Sequence, residues 1–187
     1  MPPKQKITRE MLLQIAMEIV EKDGIDAVTA RSVAKAANCS IQPVFSQFAT
    51  MEELKQATYD YVCQACMKEV LQYEQEPDFF PRVSSWMIDV ATSRPHLYQL
   101  IYLSNRFRGN QMLEVLTGFE SNRRILEKME QLYGLPQETC KDVLMRSFLI
   151  LFGITTMICV NHMEFSKEQV AAMMKQTVSD FVKGGRK

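Results

Sequence analysis

Glycine is scarce in this chain, and the scarcity argues against several classes of enzyme. The 187 residues include seven glycines, and the sequence has no glycine-rich loop for phosphates, no nucleophile elbow and no paired-carboxylate motif. The two histidines, His96 and His162, lie far apart and belong to no metal or triad motif. We therefore expect a protein that is not an enzyme and that needs neither a metal nor another cofactor.

The cysteine content also argues against a secreted protein. Five cysteines, an odd number in a long chain, do not resemble a disulfide framework. Cys63-x-x-Cys66 has no second Cys or His pair nearby at ligand spacing, so we interpret it as two packing residues, with thiol sensing as the open alternative. The opening residues lack the apolar run of a signal peptide, and the apolar stretch 148–160 is short for a bilayer. We expect a cytoplasmic protein that does not bind membranes.

Total charge does not decide whether the protein binds nucleic acid. Basic and acidic residues number 22 each, and residues 1–48 carry six basic residues against five acidic ones. Lys4, Lys6 and Arg9 cluster near the start, where residues 1–6 form either a basic arm that lies along phosphates or a disordered end. An electrostatic case for DNA is therefore weak without a local motif.

Residues 29–48 have the pattern of two short helices joined by a tight turn. Thr29 suits the N-cap of the first helix, and Asn38 tolerates the left-handed conformation that ends a helix. Ser40 can cap a second helix, with Pro43 in its first turn. The spacing is that of a helix-turn-helix.

The second of these helices has an apolar side and a polar side. Val44 and Phe48 should face the core. The outward residues are Gln42, Pro43, Ser46 and Gln47. Amides and hydroxyls suit base edges in the major groove, although an ordinary solvated helix face has the same composition.

The flanking segments carry further matching pieces. These pieces are Ile15-Ala16 with Gly24 in a preceding helix, Thr29-x-Arg31-x-Val33-Ala34, Ser40-x-x-Pro43-Val44-Phe45-x-x-Phe48, and Glu52-x-Leu54 after Thr50. With them, residues 7–57 resemble the N-terminal domain of TetR-family transcriptional regulators. The remainder of the chain is similar to the family in length and helical pattern.

The resemblance implies a set of residues that contact DNA. The set is Thr29, Arg31, Gln42, Pro43, Phe45, Ser46, Gln47 and Thr50. Thr29 and Arg31 would approach phosphates, the outward residues of the second short helix would face bases, and Thr50 would contact the backbone at the start of the fourth helix. Phe45 stands where the family usually has a phosphate-binding Tyr. Met51 replaces a frequent Lys and Gln42 a frequent Gly, which predicts weaker phosphate contacts and different base contacts.

After residue 50 the apolar residues repeat at helical spacing, which predicts an all-α protein. Breaks at Pro and Gly predict helices near 50–75, 81–93, 95–104, 110–133, 136–162 and 166–183. We expect an N-terminal tri-helical helix-turn-helix DNA-binding domain at 1–49, with the arm 1–6, and a larger helical effector-binding and dimerisation domain at 50–187.

The helix after Pro136 is apolar nearly all round, so it should be buried on several sides. We expect it and the last helix to pair with their copies across a twofold axis as a four-helix bundle; the alternative is that both are internal to a monomer. The expected interface residues are Phe148, Leu151, Thr155, Ile158, Val170, Met174, Val178 and Phe181. A homodimer would place two reading helices about 34–36 Å apart on a palindromic operator.

A region rich in aromatic and Met side chains precedes that helix. TetR-family proteins enclose a small molecule there, so the resemblance implies an apolar effector pocket, whereas plain core is the alternative for each residue. The candidate pocket residues are Trp86, Met87, Tyr98, Tyr102, Phe107, Met112, Phe119 and Phe148. The implied function is a regulator, a repressor by default, whose effector shifts the population away from the DNA-binding form. The competing hypothesis is a helical protein-interaction module whose hairpin no longer binds DNA.

Overall fold

A computed structural model describes residues 7–73, 76, 79–104 and 120–185, and every regular element in these ranges is helical. The helices in chain order are α1 (Arg9–Asp23), α2 (Ala30–Ala36), α3 (Ile41–Gln47), α4 (Met51–Leu71), α5 (Phe79–Ser93), α6 (Pro95–Tyr98), α7 (Glu120–Tyr133), α8 (Gln137–Asn161) and α9 (Lys167–Gly184). A 3₁₀ turn (Ile25–Ala27) precedes α2, and a π-helix (Gln99–Leu103) follows α6. The predicted all-α fold is confirmed.

The predicted helices match these elements with three differences. The helix expected over 50–75 ends at Leu71. The segment expected as one helix over 95–104 changes after Tyr98 from α-helix to π-helix. The helix expected over 110–133 is described from Glu120, and residues 110–119 lie outside the described ranges.

The described residues form two compact units. The first contains the residues up to Cys66 together with Arg94–Ser104, and the second contains Met67–Ser93 and the described residues after Ser104. The long helix α4 therefore contributes to both. The expected functional division into 1–49 and 50–187 stays a prediction.

Local hydrogen bonds explain where the helices of the first unit begin. The Thr8 hydroxyl accepts the Met11 N–H at 3.2 Å and caps α1. Thr29 and Ser32 form a reciprocal capping box on α2: the Thr29 hydroxyl accepts the Ser32 N–H at 3.0 Å, and the Ser32 hydroxyl oxygen accepts the Thr29 N–H at 2.9 Å. Each bond satisfies an N–H group that has no partner within its helix. At the other end of α1, Gly24 adopts a φ of 80° that side chains disfavour.

The turn between α2 and α3 has the conformation expected from its sequence. Asn38 is left-handed, with a φ of 53°, and the Cys39 N–H reaches back to the Ala34 carbonyl at 3.0 Å, as in a Schellman ending. Ser40 occupies the N-cap of α3, but its side chain makes no capping hydrogen bond. The turn therefore depends on the conformation of Asn38 more than on the Ser40 hydroxyl.

The core of the first unit holds α1, α2 and α3 together. Leu12, Ala16 and Val20 line the inner face of α1 without solvent exposure, and Val44 and Phe48 are each 1% exposed. The prediction that Val44 and Phe48 face the core is confirmed. Burying such side chains stabilises by about 1.5–3 kcal/mol each, which fixes the rotation of α3 about its axis.

Polar contacts attach α6 to the C-terminal turn of α1 within the first unit. Arg94 donates to Oε1 of Glu21 from Nε at 2.9 Å and from Nη2 at 2.6 Å. Nδ1 of His96 lies 3.2 Å from the Glu21 carbonyl oxygen. These contacts hold the start of α6 against the last turn of α1.

The second unit is a helical domain in which α5 and α8 each contact α9, α5 contacts α8, and α7 contacts α8. Its core is a cluster of buried side chains from the end of α4 and from α5, α7, α8 and α9. The cluster consists of Val70, Phe79, Ile125, Leu126, Met129, Leu135, Cys140, Val143, Val178 and Val182.

Helix α8 is long and apolar enough to cross a membrane by length and composition, with a mean hydropathy of 2.1 in its most apolar window. Within the second unit it contacts α5, α7 and α9, and eight of its residues are buried. The same composition is typical of a core helix in a soluble domain, and these contacts are those of a core helix.

Candidate functional site

The outward side of α3 presents the residues predicted to face bases. Gln42, Phe45 and Ser46 are exposed, and Pro43 and Gln47 are half-buried. The Ser46 hydroxyl donates to the Pro43 carbonyl at 2.8 Å, so its oxygen keeps acceptor capacity. Phe45 is 49% exposed although it is a large aromatic residue. The helix therefore offers amides, a hydroxyl oxygen and an aromatic ring on one solvent-facing surface.

Three further predicted contacts lie on helix starts. Arg31 is exposed in the first turn of α2. The hydroxyls of Thr29 and Thr50 accept backbone N–H groups of Ser32 and Glu53, each at 3.0 Å. Both threonines therefore act as helix caps. A hydroxyl that contacted phosphate would at the same time be accepting the capping hydrogen bond. Whether these residues contact DNA stays a prediction.

A cluster beside α3 was not predicted from the sequence. Arg9 donates from Nη1 to the Gln47 carbonyl oxygen and to Oε1 of Glu53, the latter at 3.1 Å. Its guanidinium carbon lies 4.2 Å from the centre of the Phe48 ring. The other oxygen of Glu53 accepts the Ala49 N–H at 2.7 Å. We call Arg9, Gln47, Phe48, Ala49 and Glu53 the Arg9 cluster.

The charge of Glu53 is stabilised within this cluster. The backbone hydrogen bond from Ala49, followed by the hydrogen bond from Arg9, lowers the pKa of Glu53 below its ordinary value of 4.5. The ion pair is therefore formed at neutral pH.

With the geometry described, comparison with solved structures bears on the fold. The chain is similar to the crystal structure of the multidrug binding protein EbrR complexed with imidazole, with a TM-score of 0.55 and 15% identity over 90% of this chain and 88% of that chain. No protein-family model and no curated protein matches the sequence. At this identity the likeness shows the fold alone, and it agrees with the all-α architecture described above.

Two of the predicted effector residues lie together in the first unit. Tyr98 is fully buried, and its ring centre lies 5.0 Å from that of Tyr102 in the π-helix. Burial, with Cys66 as the next contribution, raises the pKa of the Tyr102 phenol well above its ordinary value of 10.0. Cys66 is buried and Cys63 half-buried on the same helix. These tyrosines are closely packed aromatic residues of the first unit.

Two other predicted effector residues, Trp86 and Met87, lie on α5 in the second unit. Met87 is 3% exposed and belongs to the core. The Trp86 indole N–H donates to Oε2 of Glu69 at 2.8 Å, and the ring borders an open groove of about 330 Å³. The groove is lined by Tyr73, Pro81, Arg82, Ser85, Trp86 and Asp89. Its volume is at the lower end of the range for small-molecule sites.

The remaining predicted effector residues divide into one that is described and three that are not. Phe148 is half-buried on α8, and its ring stacks on Phe152 at 5.8 Å. Phe107, Met112 and Phe119 lie outside the described residues. An effector role for any of the eight stays a prediction.

The predicted dimer residues mostly face the interior of their own unit. Six of the eight are buried in the single chain, and the other two, Phe148 and Phe181, are half-buried. The six buried residues are Leu151, Thr155, Ile158, Val170, Met174 and Val178. In the single chain these six side chains are buried within the second unit, where α8 contacts α5, α7 and α9, and α9 also contacts α5. Their part in a dimer interface stays a prediction.

Another side of α8 is apolar and uncovered in the single chain. Leu149, Ile150, Met157 and Val160 are between 36% and 52% exposed, and they recur at helical spacing. Gly153 lies among them, and a Cβ placed on it would have no atom within 4 Å. We call these five residues the α8 stripe. Met173 on α9 is a further exposed apolar residue.

The structure also locates the cysteines and the side chains that could hold a metal ion. No group of three or more His, Cys, Asp or Glu side chains is placed there to hold a metal ion. The five cysteines, all within the described residues, form no disulfide, and Cys63 and Cys66 lie on one helix as expected.

Proposed function

We propose that the protein is a sequence-specific DNA-binding transcriptional regulator, a cytoplasmic homodimer that a small-molecule effector releases from a palindromic operator. The observation that carries the proposal is the solvent-facing surface of α3. Val44 and Phe48 are buried at 1% exposure, so the outward direction of Gln42, Phe45 and Ser46 is determined by packing. An oriented polar helix face is what major-groove recognition requires.

The chemistry of that face favours mixed base contacts. A glutamine amide can pair with N6 and N7 of adenine, and a serine hydroxyl can accept or donate. The exposed Phe45 ring offers an apolar surface for a thymine methyl group, in place of a hydroxyl that would bind phosphate. Arg31, exposed at the start of α2, is the side chain we assign to a phosphate.

Binding is tested by selecting duplexes from a random pool with the purified protein and measuring the affinity of the winning sequence at several salt concentrations. We expect a palindromic sequence, a steep loss of affinity with salt, and weaker binding in Gln47→Ala and Arg31→Ala. Lys175→Ala, an exposed change on α9, is the matched control and should bind like wild type. Failure to enrich any sequence at low salt would contradict the proposal.

The homodimer is proposed to form through the α8 stripe. Exposed apolar residues at helical spacing are stabilised by packing against a second copy, and Gly153 allows close approach. Met157→Glu should shift sedimentation equilibrium from dimer to monomer, because it would bury an unpaired carboxylate. Gln131→Glu, an exposed change on α7, should leave the dimer intact. An unchanged dimer in Met157→Glu would exclude this face.

Effector control is the part of the proposal that depends on the resemblance to TetR regulators. The fold likeness to a multidrug binding protein supports a small-molecule site in general terms. Native mass spectrometry of protein purified from its host should reveal a copurifying compound and the number of subunits. That compound, added to the complex, should release the selected duplex if it binds the other conformation better. A compound that binds without changing DNA affinity would contradict effector release.

One observation also favours a second candidate, a helical protein-interaction module. Ile41 and Phe45 on α3 are 37% and 49% exposed, and adjacent exposed apolar residues suit a protein partner. In that case the protein would select no duplex. Ile41→Gln would leave DNA binding unaffected if the regulator proposal is right.

A further inference from the structure

Arg9 lies where α1, α3 and α4 meet in the first unit. Gln47 is the last residue of α3, and its carbonyl oxygen accepts from the Arg9 guanidinium. Carbonyl groups in the last turn of a helix have no partner within that helix, and a cation there is favourable because it faces the negative end of the helix dipole. Arg9 thus satisfies an acceptor that α3 alone leaves open.

Glu53 extends this contact to the beginning of α4. One of its oxygens accepts from Arg9 at 3.1 Å, and the other accepts the Ala49 N–H at 2.7 Å. The connection between α3 and α4 is the segment 48–50. The Phe48 ring in this segment lies under the Arg9 guanidinium. Both ends of the connection are therefore held by one ion pair whose cation comes from the first residue of α1.

We propose that Arg9 is a positioning residue for α3, which sets the orientation of the base-facing surface through Gln47 and Glu53 and does not act as a phosphate-binding cation. This inference rests on the proposed function. In sequence Arg9 clusters with the basic residues Lys4 and Lys6, which suggests a phosphate contact. In the structure its Nη1 atom has two acceptors within the first unit, and its planar face covers Phe48.

Salt dependence separates a positioning cation from one that contacts phosphate. Each phosphate contact contributes roughly 0.9 to the slope of log affinity against log salt. We expect Arg9→Gln to weaken binding to the selected duplex roughly three- to tenfold, the size typical of a lost ion pair and carbonyl contact. Its slope should equal that of wild type, and its preference for the selected duplex over a scrambled one should fall. Arg31→Gln, the matched control, should lower the slope by about one.

Two further variants test the geometry. Glu53→Gln keeps the Arg9 contacts with the Gln47 carbonyl and the Phe48 ring, so it should lose part of the preference that Arg9→Gln loses. The double variant should be no weaker than Arg9→Gln, because Arg9→Gln already removes the ion pair. Arg9→Lys keeps the charge but loses the planar group that stacks on Phe48, so it should also lose preference. The inference would be overturned if Arg9→Lys bound the selected duplex with wild-type affinity and preference. It would also be overturned if Arg9→Gln lowered the slope of log affinity against log salt by about one while its preference for the selected duplex stayed unchanged.

An experiment without DNA separates this inference from the proposed function. Hydrogen exchange of the free protein should be several-fold faster over residues 45–49 in Arg9→Gln than in wild type, with unchanged exchange in α8. The Arg9 side chain is 44% exposed, so its replacement leaves no cavity and should not unfold the protein. If wild type selects no duplex, the regulator proposal fails. Unchanged exchange over 45–49 overturns the positioning role whether or not DNA binds.

Discussion

Two glycines in this chain should respond to alanine in opposite directions. Gly24 ends α1 with φ 80° and ψ 171°, a region that only glycine occupies without strain. The nearest atom to a Cβ built there is His96 Cδ2 at 3.8 Å, an ordinary contact. Gly153 is helical within α8, and its added Cβ would meet no atom within 4 Å. Steric space is thus available at both sites, and backbone conformation alone distinguishes them.

The expected magnitudes follow from these conformations. Backbone strain at Gly24 costs about 1–3 kcal/mol, and the reduced entropy of the unfolded chain offsets about 0.4–1 kcal/mol of it. At the midpoints of these ranges Gly24→Ala is about 1.3 kcal/mol less stable than wild type. Gly153→Ala should be about 0.5–1 kcal/mol more stable, because alanine favours the helix interior. The two variants should therefore differ by roughly 2 kcal/mol in free energy of unfolding.

Urea unfolding followed by far-ultraviolet circular dichroism measures both changes. It should be run at several protein concentrations, because a dimer gains stability with concentration. At concentrations where the protein is monomeric, Gly153→Ala should show its full gain; at higher concentrations the gain should shrink, since the new methyl group would hinder packing of the α8 stripe against a second copy. Wild-type stability in Gly24→Ala, or a less stable monomer in Gly153→Ala, would refute the reasoning.

Three other perturbations have defined outcomes. The pKa of Glu53 is lowered in the folded protein, so the stability that its ion pair contributes is complete above the ordinary pKa of 4.5 and is lost as pH falls through the lower folded pKa. In an NMR titration the midpoint of Glu53 should move up in Arg9→Gln, and an unmoved midpoint would exclude the contact. Burial raises the pKa of Tyr102, so its phenol should stay protonated at about pH 11, where ordinary tyrosines ionise. The absorbance change from tyrosine ionisation should therefore be equal in wild type and Tyr102→Phe, and a smaller change in the variant would show that the Tyr102 phenol is accessible. Thr29→Ala should lower the free energy of unfolding by about 1 kcal/mol, because the hydrogen bond from the Ser32 N–H to the Thr29 hydroxyl is lost. Thr29→Ser keeps a hydroxyl and should be nearly as stable as wild type, so equal losses in the two variants would contradict the capping role.

Most features that depend on neighbouring residues in sequence were predicted correctly, although the Ser40 hydroxyl makes no capping hydrogen bond. Thr29 caps α2 and Asn38 ends it because both effects act within one helical turn. The inward positions of Val44 and Phe48 follow from helical periodicity alone. Local rules therefore located the helix-turn-helix, and the order of the later helices followed from Pro and Gly breaks.

Features that depend on distant residues could not be predicted. Arg9 lies 38 residues from Gln47 and 44 from Glu53, and a basic residue near the chain start has no sequence signal for such partners. Helix α8 is apolar on several faces, so its periodicity predicted burial without showing which face its own unit covers. Periodicity alone does not indicate that Leu151 and Ile158, which we predicted at a dimer interface, are already buried in the single chain.

Trp86 offers a practical way to search for the effector that the proposed function requires. It is the one tryptophan in the sequence, its indole nitrogen is held by Glu69, and its ring borders the open groove of the second unit. Indole emission depends on surrounding polarity, so a compound that entered the groove should alter the intrinsic fluorescence of unlabelled protein. The chain thus carries a built-in optical reporter with a single origin, and a library of candidate inducers could be screened by following its emission without dye, radioisotope or engineered tag.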